Sequence, residues 1–469
     1  MKTREDGMPM ESAPKEQPPV GAVHGGASAS ASTAGVCPVV QGSPFEVDGP
    51  RVLLHVPEFA ADPHAAYARM RREFGSLVPV ELSPGVPATL VIGYRTAVRI
   101  LNDHEHFPAD PSVWQKDIPP DCPVLPMLQA RDNALRKAGT DHARLRAAYA
   151  VLSGVDLNAL HGAVDREADR LINAFARKGA ADLHRDYALP LMFGVLSDLF
   201  AIPDPLARRV YRGQAMIMDG IDAAGGELMF GAALAEAVQY RRAHPGDDLM
   251  SRMMAHPVEL TESELVMQVA LPFAAGNEPT ANLISNALWR LLSASDVRGQ
   301  NFADGLLSGS LSTRDAVDEV LFTDPPLANF CISYPRQATL IGNVWLPAHQ
   351  PVVVSLAACN NDPAVTAADR TGNRSHLAYG LGVHRCPAIA MTEVIATRAI
   401  DQILDALPEM RLATPPDDVS WRPGIFHRAL AALPVVFEPV REPMRLIAPP
   451  QSAPKPRTDR RPLSWHTTS

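Results

Sequence analysis

The stretch Leu377-Ala378-Tyr379-Gly380-Leu381-Gly382-Val383-His384-Arg385-Cys386 decides the reading of this chain, because it delivers a cysteine from a glycine-loosened loop. Gly380 and Gly382 can take backbone angles barred to other residues and let a flat ligand approach the main chain closely. Pro387 follows, and Ala388-Ile389-Ala390-Met391-Thr392-Glu393 continues in helix-compatible residues. The loop is therefore expected to feed a helix with Pro387 at its first position. A cysteine at a helix N-terminus has its thiolate favoured by the dipole and by free amides. Cys386 is thus a candidate metal ligand, set against the plainer reading of a buried structural cysteine.

The segment resembles the haem-thiolate loop of cytochromes P450, whose pattern is Phe-Gly-x-Gly-x-His/Arg-x-Cys-x-Gly. Cys386 stands at the axial ligand, and Gly380, Gly382 and His384 match the positions before it. Tyr379 stands where the pattern has Phe, and Ala388 where it has its last Gly. A haem needs an axial ligand, cations for two propionates, an apolar slot and an oxygen-side face. In Asp141-His142-Ala143-Arg144-Leu145-Arg146, His142 and Arg146 are four apart and share a helical face, where both could bond a propionate. The resemblance implies that role for them, and adds Arg336 before a strand and His376 before the cysteine loop.

Thr261-Glu262-Ser263-Glu264 reads as a capping box opening a long helix. That helix carries Ala274-Ala275-Gly276-Asn277-Glu278-Pro279-Thr280, which resembles the Ala-Gly-x-Glu/Asp-Thr-Thr of the P450 oxygen-side helix. Gly276 would leave room for dioxygen, and Glu278 and Thr280 would serve proton delivery. The plainer reading is a core helix kinked by Pro272 and Pro279.

Two departures stand out. Asp318-Glu319-Val320-Leu321-Phe322 aligns with the family's Glu-x-x-Arg segment, with Phe322 at the arginine position. A buried Glu319 without its counter-charge would be costly, so Arg370 or Arg374 is expected to substitute. At the acid-alcohol site Pro279 stands in place of threonine and brings no hydroxyl. Positioned proton transfer is worth about 10²–10⁴ in rate, so oxygen activation is expected to weaken unless Thr280 or water takes over.

The 469 residues are 46% hydrophobic and 20% charged, ample for a large core. The expected fold is mainly α with a small β-sheet region, the cytochrome P450 fold, in a single domain over 46–441. Residues 1–45 and 442–469 are rich in Pro, Gly, Ala and Ser and read as disordered ends. A net charge of -9 without a basic stripe argues against a nucleic-acid partner. Five cysteines without disulfide-like spacing, and no apolar signal core, point to the cytoplasm. The longest near-apolar run, Leu265 to Gly276, is too short for a bilayer needing about 20 residues, so no membrane partner is expected.

Helices are expected at 63–74 and near 139–152, 157–177, 187–201, 205–220, 229–243, 262–293 and 313–322. A hairpin is expected over 77–82 and 88–92, with strands at 338–341, 344–346, 351–356 and near 435–437. Substrate would meet 107–127, the methionine-bearing stretch 216–230, Leu271 and Phe273. The resemblance implies haem b, a small apolar substrate, and electrons from NAD(P)H through ferredoxin reductase and ferredoxin, one oxygen atom of O2 entering the product. Two alternatives stay open: a peroxide-driven or non-oxygenating haem-thiolate enzyme, and a non-catalytic haem-binding sensor or partner protein.

Overall fold

The computed structural model describes residues 49–219, 222–293, 305, 309–366, 370 and 372–440, with the side chains of Met218 and Asp219 also outside the description. The ends at 1–45 and 442–469 lie outside the described residues. Strands β1 (Val52–Leu53), β2 (Leu77–Ser83), β3 (Val86–Val91), β4 (Ala180–Asp182), β5 (Asn329–Ser333), β6 (Thr339–Ile341), β7 (Val344–Leu346), β8 (Val352–Ser355), β9 (Arg411–Leu412) and β10 (Pro434–Val436) form three small sheets. Their orders are β1-β2-β3-β8-β5, β4-β10-β9 and β6-β7. Gly85, at φ 76°, closes the β2–β3 hairpin with a backbone angle that side chains resist. β8, buried along its whole length, pairs parallel to β3 and antiparallel to β5, so it sits inside its sheet.

Helices make up most of the rest. The longer ones are α1 (Pro63–Phe74), α2 (Tyr94–Asn102), α3 (Gly139–Ala147), α4 (Leu157–Phe175), α5 (Leu189–Leu199), α6 (Asp204–Asp219), α7 (Ala223–Ala243), α8 (Glu262–Pro272), α9 (Glu278–Leu292), α10 (Thr313–Thr323) and α11 (Ile389–Ala406). One apolar cluster gathers the buried faces of α4, α5, α8, α9, α10 and α11. A second fills the space between α1 and the five-stranded sheet. Phe273, expected to meet substrate, is instead wholly buried against Phe193 and Phe200, with ring centres 5.7 and 5.8 Å away. Phe107 and Trp114 are likewise core residues.

α7 starts at Ala223, six residues before the expected 229. Gly225 and Gly226 hide its first turn, since glycine is about 1 kcal/mol poorer than alanine in a helix. Asp222 compensates by accepting a hydrogen bond from the Gly225 amide at 3.1 Å. The glycine also serves packing. A Cβ on Gly226 would lie 2.8 Å from the carbonyl oxygen of Gly213, so α6 and α7 meet backbone to backbone there.

The helix expected over 262–293 is divided. α8 opens with the Thr261/Glu264 capping box, and a widened turn at Phe273–Asn277 separates it from α9. Pro272 has no amide hydrogen for the Gln268 carbonyl, and the Tyr149 hydroxyl donates to that carbonyl instead, at 2.7 Å. Pro279 falls in the first turn of α9, where a missing amide costs little.

The missing arginine has a spatial answer. Glu319 is buried on α10, and Arg370 brings Nη1 to 3.8 Å from its Oε1. Arg370 also donates to Asn361 Oδ1 at 3.0 Å and lays its guanidinium 4.9 Å from the centre of the Phe322 ring. Phe322 thus fills the arginine position with a surface on which Arg370 stacks. Arg374 pairs with Asp318 at 3.0 Å instead.

Removing the cation at Arg370 is expected to cost about 3–5 kcal/mol, because it leaves a buried carboxylate uncompensated. Arg374→Gln, at a half-exposed pair, should cost less than about 1 kcal/mol. Phe322→Arg should not raise the melting temperature, since it adds a second buried cation beside Arg370. Urea unfolding of the three variants checks all three outcomes.

Candidate active site

The cysteine loop is held by its own backbone. Asn360 Oδ1 accepts from the Leu377 amide at 2.7 Å, and the Gly380 amide donates to the Leu377 carbonyl at 2.8 Å. Gly380 and Gly382 both sit at φ 69°. A Cβ on Gly382 would lie 2.3 Å from the Leu101 carbonyl oxygen at the end of α2, so only glycine fits. The Cys386 amide then donates to the Tyr379 carbonyl at 2.9 Å, closing the loop.

Pro387 does not open the helix as expected. Pro387 and Ala388 form a turn, and α11 begins at Ile389. Ala388 stays outside the helix at φ -105° and turns its amide toward Cys386 Sγ, 3.4 Å away. Pro387 brings no donor to the sulfur, and Ala388 supplies one. Burial pushes the Cys386 thiol up, while the Ala388 amide and the charges of Arg146 and Arg385 pull it down. Cys331 lies close by, its Sγ 3.3 Å from where a Gly380 Cβ would be, but burial lifts its thiol to about 12.

His142 and Arg146 reach this loop from α3. The His142 ring centre is 4.1 Å from that of His384, and Arg146 donates to the Arg385 carbonyl. Burial, with His142, Arg146, Arg136 and His104 nearby, holds His384 down to about 3. His142 Nε2 is buried with no hydrogen-bond partner among the described residues. His376 is wedged between Phe322 and Tyr379, with ring centres 5.2 and 5.6 Å away, and burial takes it down to about 4. Arg336 behaves differently: it is exposed and donates to the Glu105 carbonyl at 3.0 Å. The structure brings His142, Arg146, His376 and His384 to the loop and leaves Arg336 turned to Glu105.

On the widened turn, nothing lies within 4 Å of where a Gly276 Cβ would be, so space opens at that residue. Glu278 is buried and ion-paired with Arg422. Thr280 is buried one residue past Pro279. Arg422 carries no sequence signal for this role, because the contact spans 144 residues between α9 and the C-terminal strands.

No protein-family model matches the sequence. The chain is 30% identical over 403 residues to the cytochrome P450 monooxygenase PikC of Streptomyces venezuelae, covering 82% of this chain and 93% of that protein. The chain belongs to the cytochrome P450 family. It is also 28% identical over 397 residues to the 2-hydroxy-5-methyl-1-naphthoate 7-hydroxylase of Streptomyces carzinostaticus, over 80% of this chain and 95% of that one. Among solved structures, CYP154C4 from Streptomyces sp. ATCC 11861 superposes with a TM-score of 0.74 at 26% identity, over 83% and 98% of the two chains.

This P450 is therefore an oxidoreductase of the monooxygenase class, in a family whose cofactor is haem. Its residues fit that group: a sulfur offered from a glycine loop, an unpartnered buried His142 Nε2, and open space at Gly276. Among the described residues no helix is long and apolar enough to cross a membrane.

Two measurements test the loop. Gly382→Ala should lower the melting temperature by several degrees, from strain at positive φ and the Leu101 contact, whereas Gly276→Ala should leave it unchanged or raise it. His376 adds a pH dependence to the haem-free protein. An unfolded histidine takes up its proton near pH 6.5, but folded His376 does so only near 4. Its stabilising contribution is full above about pH 6.5 and declines as the pH falls towards 4. His376→Asn should flatten that part of the urea-unfolding profile.

Proposed function

We propose that this P450 inserts one oxygen atom of O2 into a small apolar organic substrate, with Cys386 as the axial ligand of haem b. The observation that carries the reading is the loop that turns at Gly380 and Gly382, both at φ 69°, and then presents Cys386 Sγ beside the Ala388 amide. When bound, haem supplies the iron on which dioxygen is reduced, one atom going to substrate and the other to water. Cys386 would hold the iron and donate electron density to it, and the Ala388 amide, which donates to the sulfur, would moderate that donation.

His142 and Arg146 hold one propionate, with His142 Nε2 as a donor that the protein itself leaves unmatched. His376 serves the other, and Arg336 joins it by leaving the Glu105 carbonyl. Gly276 leaves room for oxygen, while Glu278 and Thr280 serve proton delivery. Gly380, Gly382 and His384 line the proximal side. Electrons come from NAD(P)H through a ferredoxin reductase and a ferredoxin, residues 46–441 act as one catalytic domain, and the protein works in the cytoplasm. The substrate belongs with small, flat, largely apolar molecules, in keeping with the naphthoate named for one relative.

A second reading has its own support. Glu278 is tied to Arg422 and Pro279 lacks a hydroxyl. Both favour a peroxide-driven reaction, because hydrogen peroxide brings its own protons and electrons. Turnover of apolar aromatic acids under ¹⁸O₂ with a surrogate ferredoxin system separates the two: one labelled oxygen in the product supports the first, and product formed only with added peroxide supports the second.

In wild type, electrons should be poorly coupled to product and hydrogen peroxide should be released. Pro279→Thr should raise coupling several-fold by restoring a hydroxyl that positions the proton. Tight coupling in wild type together with its loss in Thr280→Ala would show that Thr280 already fills the role.

A further inference from the structure

We propose that Gln214, on α6, is a positioning residue that holds the oxygen-side turn in its widened form; the inference rests on the reading of Gly276 as the place where oxygen is accommodated. A regular α-helix would direct the Asn277 amide to the Phe273 carbonyl, but the turn over Phe273–Asn277 is widened. Gln214 caps the displaced carbonyl. Its Nε2 donates to Phe273 O at 2.7 Å, and its Oε1 accepts from Asn277 Nδ2 at 3.4 Å. One side chain therefore grips the first and the last residue of the widened turn, with Gly276 inside the span.

Both partners are deeply buried, Gln214 at 8% exposure and Asn277 at 2%, so water cannot readily replace either bond. Asn277 Oδ1 has no hydrogen-bond partner among the described residues, so the Nδ2 contact to Gln214 is the bond that orients this buried amide. The two prolines bracket the turn without locking it. Pro272 lies before the turn with its partner carbonyl satisfied by Tyr149, and Pro279 lies after it in the first turn of α9. Neither proline satisfies the Phe273 carbonyl. Gln214 is what decides whether that oxygen stays turned aside.

Its position also links substrate space to the turn. Gln214 follows Gly213, where α6 and α7 meet backbone to backbone. Met216 lies on α6 and Phe230 on α7, within the stretch expected to meet substrate. A substrate that shifts α6–α7 pulls on Phe273 and Asn277 through Gln214, and thereby changes the room beside Gly276.

The test uses the haem-loaded full chain and two probes, hydrogen exchange of the amides at 273–278 and optical titration with imidazole, which enters on the oxygen side of the iron. Gln214→Met keeps the length and removes both bonds. Exchange at 273–278 should rise about ten-fold, as expected when a buried hydrogen bond is lost, with 282–290 unchanged, and the imidazole Kd should shift at least about three-fold. Gln214→Glu gives the discriminating readout. Protonated, it donates to Phe273 and restores protection; ionised, it repels that carbonyl and protection falls, so exchange corrected for its intrinsic base-catalysed rate gains a pH dependence that wild type lacks. Unchanged exchange in both variants would overturn the clamp. Faster exchange with an unchanged imidazole Kd would overturn its link to the oxygen side, and a wild type without an imidazole shift would overturn the reading of Gly276 beneath it.

Discussion

A sulfur can be offered outward from a loop only if the backbone around it satisfies its own hydrogen bonds, and residues 377–386 meet that condition through two glycines. Gly380 and Gly382 turn the chain at φ 69°, which lets the Cys386 amide reach back to the Tyr379 carbonyl and leaves Sγ facing the Ala388 amide. The rest of the molecule is arranged against this loop. Leu101 at the end of α2 presses on Gly382, Asn360 caps Leu377, and α3 brings His142 and Arg146 to its far end. α11 then leaves towards the core and buries Met391, Ile395 and Ala399.

The two departures from the family pattern are answered by residues distant in sequence. Phe322 removes a guanidinium from α10, and Arg370 supplies one from the segment before the cysteine loop, stacked on the very ring that replaced it. Such a swap keeps a counter-charge beside buried Glu319 and fills the arginine's volume with apolar surface, so the carboxylate is not left uncompensated and no void opens. Pro279 removes a hydroxyl and an amide from α9. The amide is not missed in a first turn, but the ring carries no hydroxyl, and the neighbouring Glu278 carboxylate is engaged by Arg422.

Much of the fold could be read from the chain. Strong period-3.6 segments such as Pro63–Phe74 and Thr313–Thr323, and the hairpin around Gly85, carry their signals locally. Elements whose reasons are tertiary were harder to read. The first turn of α7 was hidden because Gly225 and Gly226 lower helix propensity, while Gly226 serves the contact with Gly213. The break at 273–277 and the Glu278–Arg422 pair depend on partners many residues away, Gln214 and Arg422, which no local pattern announces. In the site, the meeting of His142 and Arg146 with the cysteine loop was legible from spacing and resemblance. The outward turn of Arg336 and the burial of Phe273 were not, since exposure is decided by neighbours rather than by residue type.

The most direct test of the account is the reduced, carbon-monoxide-bound absorption spectrum of the haem-loaded protein, recorded for wild type, Cys331→Ser and Cys386→Ser. The account predicts the red-shifted thiolate band in wild type and in Cys331→Ser, and its loss in Cys386→Ser. A thiolate band that survives in Cys386→Ser, or that is absent from wild type carrying a full complement of haem, would contradict it.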